Sequence, residues 1–441
     1  MSEAAHQGSR GIGVKSAAAL VAANMIGAGV FTTSGFALAD LGRPEFVLLA
    51  WVVGGGVALC GALSYSRLAA HFPGNGGEYL FLSRTLHPLV GFLAGWVSLF
   101  AGFTAPIAVA AHGLEAYLGA SLGGVGWDLP PKVLGAVAIL GCGALHGMTR
   151  AGGVKLQDWA VATKLAAIVF FILFGAFVLL GGGESGTAAA AICEEKPPFS
   201  LSAFAVTLVW ISFAYSGWNA AVYIAGELAA PEYTLPRALI VATAGVTAIY
   251  VALNAVFLYA APVEDLVGRP EVGAVAAAAL GGDWARAALS AVVALGLLTS
   301  ISAMVMVGPR VYAQMADDGL MPAGLMTRGT EPRGAIALQV GLALAAFWFA
   351  ELRELLDYAG FLLGLSAAAT VGCLFMPSLR GMNGPSSWAQ KIIPVTFLVM
   401  TLGSSAFLVM REPEESAIGC ATLLVGALVY SFMRRRPSEQ A

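Results

Sequence analysis

Two short segments hold the residues best suited to chemistry: Asn24-Met25-Ile26-Gly27-Ala28-Gly29, with Gly35 beyond it, and Phe213-Ala214-Tyr215-Ser216-Gly217-Trp218-Asn219. Both lie inside long apolar runs. Glycine holds a helix poorly, so paired glycines among small residues mark a place where a helix unwinds. An unwound turn bares backbone N–H groups at the start of the next half-helix, where the dipole also favours an anion. It also frees carbonyls that can accept from a cation, here at Met25 and around Phe213 and Ser216. A third candidate is Lys164, an ammonium about two turns, or roughly 10 Å, deeper in its apolar run than Lys155 and Asp158, which strains snorkelling as an explanation. His112 and Glu115, about one turn apart, could pair, relay a proton, or lie at the membrane interface. Enzyme chemistry has no such candidates: HExxH and an intramembrane acidic pair are both missing. The five cysteines, Cys60, Cys142, Cys193, Cys373 and Cys420, lack metal-ligand or disulfide spacing, so no metal, cofactor or catalytic residue is expected.

These residues must be positioned by membrane helices. Of 441 residues 58% are hydrophobic and 11% charged, a balance that excludes a soluble globular chain. In a lipid bilayer every backbone polar group must be paired internally, so each span needs roughly 20 apolar residues. The expected spans lie near 13 to 40, 46 to 70, 89 to 118, 131 to 148, 157 to 181, 200 to 228 and 237 to 261. Five more lie near 284 to 313, 334 to 350, 354 to 377, 391 to 410 and 417 to 433, about twelve in all. An even number puts both termini on one side. Loop Lys and Arg, such as Lys15, Arg67, Arg84, Arg150, Arg237, Arg310, Arg333 and Arg434 to Arg436, concentrate on that side, by about 15 to about 7, so both termini are expected in the cytoplasm. The opposite loops are acidic, as at Glu194, Glu195, Glu264 and Asp265. No basic patch on a soluble module suggests nucleic-acid binding, and no removable leader is evident. Residues 1–441 read as a single membrane domain.

The two interrupted spans are the first and the sixth. Breaks at matching positions of two halves point to an inverted repeat with a binding site between them. Residues 13–181 and 200–377 would form the halves, five spans each. Residues 391–433 would follow as two extra helices.

The chain resembles the amino acid, polyamine and organocation transporter superfamily, and within it the L-type amino acid transporter branch, over nearly its whole length. Asn24 to Phe31 is similar to the superfamily's first-helix motif, and Phe213 to Asn219 to the branch's sixth-helix motif. Pro73 to Tyr79, Gly226-Glu227 through Pro236-Arg237, and Gly308-Pro309-Arg310 through Asp318-Gly319 agree in order. The resemblance implies an all-α, five-plus-five inverted-repeat fold named after a bacterial leucine transporter, working by alternating access as a permease or antiporter of the cell (inner) membrane. It places substrate at Met25, Gly27, Ala28, Gly29, Phe213, Ser216 and Asn219, with Phe213 as the gating aromatic. Ser216 and Asn219 either line the side-chain pocket or bond between helices. Lys164 would stand where sodium-driven relatives hold sodium, implying sodium-independent exchange or proton-linked uptake. The pocket segments carry no carboxylate or arginine, which favours neutral L-amino acids over a cationic amino acid or polyamine. A membrane sensor or receptor would be expected to add a sizeable soluble output domain. The loop 119–131 lacks the cysteine by which metazoan relatives join a glycoprotein heavy chain, so no such partner is expected.

Overall fold

The computed structural model describes residues 12–72, 77–122, 130–148, 153–181, 198–327, 331–377 and 388–434. Helices α1 (Val14–Met25) and α2 (Gly29–Leu41) are two halves of one path, bent by 47° at the first break. Gly42 ends α2 in the left-handed conformation (φ 67°), its N–H on the Leu38 carbonyl, which turns the chain into α3 (Pro44–His71). A short α4 (Gly77–Thr85) lies between α3 and α5 (Pro88–Val97). α5 runs through a π-helical stretch, Ser98–Thr104, into α6 (Ala105–Leu122).

Helices α7 (Val133–Met148) and α8 (Gly153–Leu180) follow. The second break separates α9 (Leu201–Ala214), capped by the Ser200 hydroxyl on the Ala203 N–H, from a 3₁₀ segment, Ala220–Glu227. Then come α10 (Pro231–Tyr259), α11 (Val272–Asp317), α12 (Arg333–Phe349), α13 (Leu352–Gly372), α14 (Trp388–Arg411) and α15 (Pro413–Arg434). α11 breaks at Gly281–Gly282, and Glu351 and Glu354 form a capping box at the start of α13.

Among the described residues eight helices are long and apolar enough to cross a bilayer, the bent α1–α2 pair makes a further span, and three shorter apolar helices lie at Val133–Gly147, Leu201–Ala214 and Arg333–Phe349. No strand occurs among the described residues, only one isolated bridge between Ile12 and Leu228. Large apolar side chains face outward, with Phe177, Leu180, Phe349 and Met410 at least 77% exposed, while Trp51, Tyr65, Tyr215 and Tyr250 are fully buried. Such a surface suits hydrocarbon and not water. The chain is therefore an all-helical, multi-pass membrane protein. Helix bounds fall within about six residues of the expected spans except at α11, which begins at Val272, twelve residues before the expected start near 284, and breaks at Gly281–Gly282. The hydropathy pattern did not separate α4 or the π-helical stretch from their surroundings. Cys193, Glu194 and Glu195 lie outside the described residues, as does most of the loop 119–131.

Candidate functional site

The first break follows from glycine at two of three consecutive positions. Ile26 N–H still reaches Ala22 O (3.1 Å), but Gly27 N–H turns back to Met25 O (2.9 Å), and the first bond of α2 is Phe31 N–H to Ala28 O (3.0 Å). The N–H groups of Ala28, Gly29 and Val30 thus precede the ladder of α2 and have no intrahelical acceptor. At the second break Tyr215 N–H closes on Ile211 O (2.9 Å) and Ser216 N–H on Phe213 O (2.9 Å). Gly217 then takes φ +99°, a conformation open to glycine and strained for other residues.

The two breaks face each other at contact distance. A Cβ on Gly29 would stand 2.6 Å from Ala214 Cα, and one on Gly217 would stand 2.8 Å from the Asn24 carbonyl carbon and oxygen. Each break is glycine where the other presses on it, a positional reason that helix propensity alone does not supply.

Tyr250 of α10 ties the breaks together. Its hydroxyl lies 2.6 Å from Met25 O and 3.2 Å from Ala214 O, one carbonyl from each interrupted helix. Tyr215 donates to Trp51 O (2.9 Å), and the rings of Trp51, Tyr215 and Tyr250 pack within 5.1–5.7 Å. Trp51 Nε1–H donates to Ser34 Oγ (2.9 Å), which itself bonds Asn254 Oδ1. Sequence reasoning missed Tyr250, because a tyrosine in an apolar run has no pattern that sets it apart from packing. Met25 O is engaged by both Tyr250 and Gly27, so a ligand ammonium at that carbonyl would compete with them.

Lys164 comes to the first break. It is 5% exposed, and its Nζ donates to Ile26 O. Its stem passes α11 at Gly296, where a Cβ would lie 2.9 Å from Lys164 Cδ. Phe213 is buried at the last turn of α9, and Ser216 and Asn219 are half-buried. Asn219 Nδ2 donates to Glu78 Oε1 (3.1 Å), so this side chain bonds between elements in the structure.

His112 and Glu115 are held separately. His112 Nε2 lies 3.1 Å from Ala350 O with its ring 4.6 Å from Phe347. Glu115 accepts the N–H groups of Lys132 and Gly135, capping the start of α7. Both line a cavity of about 360 Å³ with Phe36, Lys132, Glu351 and Arg353, at the end of the molecule away from the start of α1. At that end Asp40 of α2, whose side chain is 5% exposed, pairs with Arg353 (3.3 Å) and Arg411 (2.9 Å). Its partners span the start of α13 and the end of α14. Among the described residues no group of histidine, cysteine and acidic side chains could hold a metal.

Facing helix breaks with bare N–H groups, held by a buried ammonium inside a shell of lipid-facing helices, define a class: a membrane carrier with a small-solute site. The amino acid permease family matches residues 12–419, and the chain belongs to it. It is 26% identical over 95% of its length to the large neutral amino acids transporter small subunit 2 of Homo sapiens, covering 79% of that protein. It is 26% identical over 97% of its length to the serine/threonine exchanger SteT of Bacillus subtilis (strain 168), covering 98% of that protein. A third relative is the Asc-type amino acid transporter 1 of Mus musculus, 26% identical over 97% of this chain and 82% of its own length. The protein is an amino acid transporter and not an enzyme.

Proposed function

We propose that the protein moves neutral L-amino acids by alternating access, without sodium, through exchange or proton-linked uptake. The observation that carries this reading is the facing of the two breaks, with Lys164 Nζ on Ile26 O beside the bare N–H groups of Ala28 to Val30. A substrate carboxylate takes those N–H groups, as anions do at helix N-termini. Its ammonium takes carbonyls of the breaks. Phe213 closes over both, and Lys164 supplies the positive charge that sodium brings in sodium-driven carriers.

Neutral substrates are favoured by the segments that form the breaks, which carry no acidic or basic side chain from Asn24 to Phe31 or from Phe213 to Asn219. Cationic amino acids and polyamines need a countercharge there. Twelve spans in a five-plus-five inverted repeat, residues 13–181 against 200–377, agree with the positions of the breaks in the first and sixth paths. The basic loops favour an inner-membrane protein with cytoplasmic termini. The absence of cysteine from 119–131, and the end-to-end match to a bacterial exchanger, favour a chain that works without a heavy subunit.

The test is uptake of radiolabelled alanine, leucine, glutamate and arginine into proteoliposomes, with and without internal amino acid, sodium and a pH gradient. Saturable uptake of alanine or leucine that ignores sodium is expected, with internal amino acid or a pH gradient driving it. Uptake of arginine alone would move the substrate class to organic cations, and uptake of none would remove the transport reading.

A further inference from the structure

Glu78, in the first turn of α4, belongs to the Pro73 to Tyr79 stretch and is not itself among the residues assigned to the substrate, although it bonds one of them, Asn219. Its carboxyl gathers three donors from three distant parts of the chain. Tyr65 Oη (2.7 Å) and Asn219 Nδ2 (3.1 Å) both bond Oε1, and Ser366 Oγ (2.8 Å) bonds Oε2. Tyr65 lies on α3, Asn219 closes the second break, and Ser366 lies on α13. The Tyr65 ring also packs edge-on against Trp218, the neighbour of Asn219, at 4.7 Å. The cluster sits at the end of the molecule where α1 begins, and Glu78 keeps partial exposure there.

Every donor is neutral. The groups that face Glu78 are Tyr65 from α3, Asn219 and Tyr223 from the turn and 3₁₀ segment after the second break, and Ser366 from α13. Thr370 and Cys373 lie further along that arm, α5 brings no titratable side chain, and Arg84 stands in the last turn of α4. Among the described residues no ion pair involves Glu78. Burial without a countercharge pushes its carboxyl above the usual carboxylate range, while the three hydrogen bonds pull the other way.

Resting on the transport reading of the two breaks, we propose that Glu78 is a proton-binding residue that positions the segment after the second break, so that pH on this face sets how readily the face opens. The bond pattern gives the proton its seat. The Asn219 amide nitrogen that faces Glu78 can only donate, so Oε1 stays the acceptor for Asn219 and Tyr65. Oε2 takes the proton and donates to the Ser366 hydroxyl, which can reverse its role.

The sign follows from linkage. Opening moves Asn219 away and completes the hydration of Glu78, bringing its pKa back toward the solution value, so the closed face binds the proton more tightly. Acidifying this face stabilises the closed form, and raising its pH releases it.

Hydrogen exchange of residues 217–228 in the full chain in nanodiscs, corrected for intrinsic rates, reads this directly, and alanine exchange in proteoliposomes reads its consequence. In the wild type, protection of 217–228 rises and exchange slows severalfold as this face goes from mildly alkaline to mildly acidic. Glu78→Gln holds the protected, slow form throughout, with a flat profile. Ser366→Ala is the second variant and weakens the pH response without changing any charge. A wild-type pH profile in Glu78→Gln, or flat protection in the wild type, overturns the proposal. Transport of alanine with flat protection sinks the proton site alone. Absence of all transport beside the expected protection profile sinks the transport reading and leaves the site standing.

Discussion

Replacing Lys164 by Met tests whether the ammonium, and not merely its stem, shapes the first break. Methionine keeps an apolar chain in the slot beside Gly296 and removes the donor to Ile26 O. A hydrogen bond from a charged donor contributes about 1.5–3 kcal/mol net. If that energy selects the substrate-competent shape of Gly27 to Gly29, losing it lowers the competent population by roughly 10- to 150-fold, since each 1.4 kcal/mol is tenfold. Lys164→Ala should be worse, because truncating a buried chain of this size adds a cavity cost of about 2–5 kcal/mol. Alanine or leucine uptake across a range of concentrations in proteoliposomes gives the ratio of kcat to KM for each variant, with monodispersity in detergent as the folding control. Wild-type uptake by Lys164→Met, with only Lys164→Ala impaired, would show that the side chain acts by filling space and would refute the reasoning.

Tyr250→Phe removes one hydroxyl whose single proton is shared between two carbonyls, a bond contributing about 0.5–1.5 kcal/mol, so affinity for a neutral substrate should fall about twofold to tenfold in equilibrium binding; an unchanged affinity would leave the bridge without a role. Gly29→Ala places a methyl 2.6 Å from Ala214 Cα and should abolish uptake, whereas Gly27→Ala meets nothing closer than Met25 O at 4.0 Å and should retain some; equal activities would separate the breaks from function. Phe213→Ala should raise KM and increase leak of preloaded amino acid, and unchanged exchange kinetics would reduce Phe213 to packing. Asp40→Asn should speed opening of the face away from the start of α1, by about 1–2 kcal/mol given half-exposed arginine partners, read as faster thiol labelling of a cysteine placed at Phe36.

The spans were legible because a bilayer imposes length and hydropathy on each helix separately. The breaks were legible because glycine clusters are local. Gly29, Gly217 and Lys164 were readable as types but not as partners: that Gly29 meets Ala214, Gly217 meets Asn24 and Lys164 passes Gly296 depends on packing between segments more than a hundred residues apart. Tyr250 and Asp40 left no trace in the sequence. One is a tyrosine in an apolar run, the other an acid near a helix end, and each gains meaning only from carbonyls or arginines supplied by other helices. Asn219 shows the converse. Its position beside the break was readable, while its bond to Glu78 required α4, a helix that hydropathy does not register. His112 and Glu115 look like a pair at one-turn spacing, yet tertiary acceptors and N–H groups hold them to different elements.

The two half-paths that leave the breaks are held by different chemistry, α2 at its far end and the segment after the second break at its start. α2 ends at Asp40 between two arginines, whose charge is permanent over any physiological pH. That contact is weakened by salt. The segment after the second break begins in a cluster whose donors are all neutral and whose acceptor is a carboxyl that burial favours in its protonated form. It is weakened by alkali and is nearly indifferent to salt. Reciprocity then requires that, if substrate binding changes the proton affinity of Glu78 through Asn219, the proton change substrate affinity by the same factor.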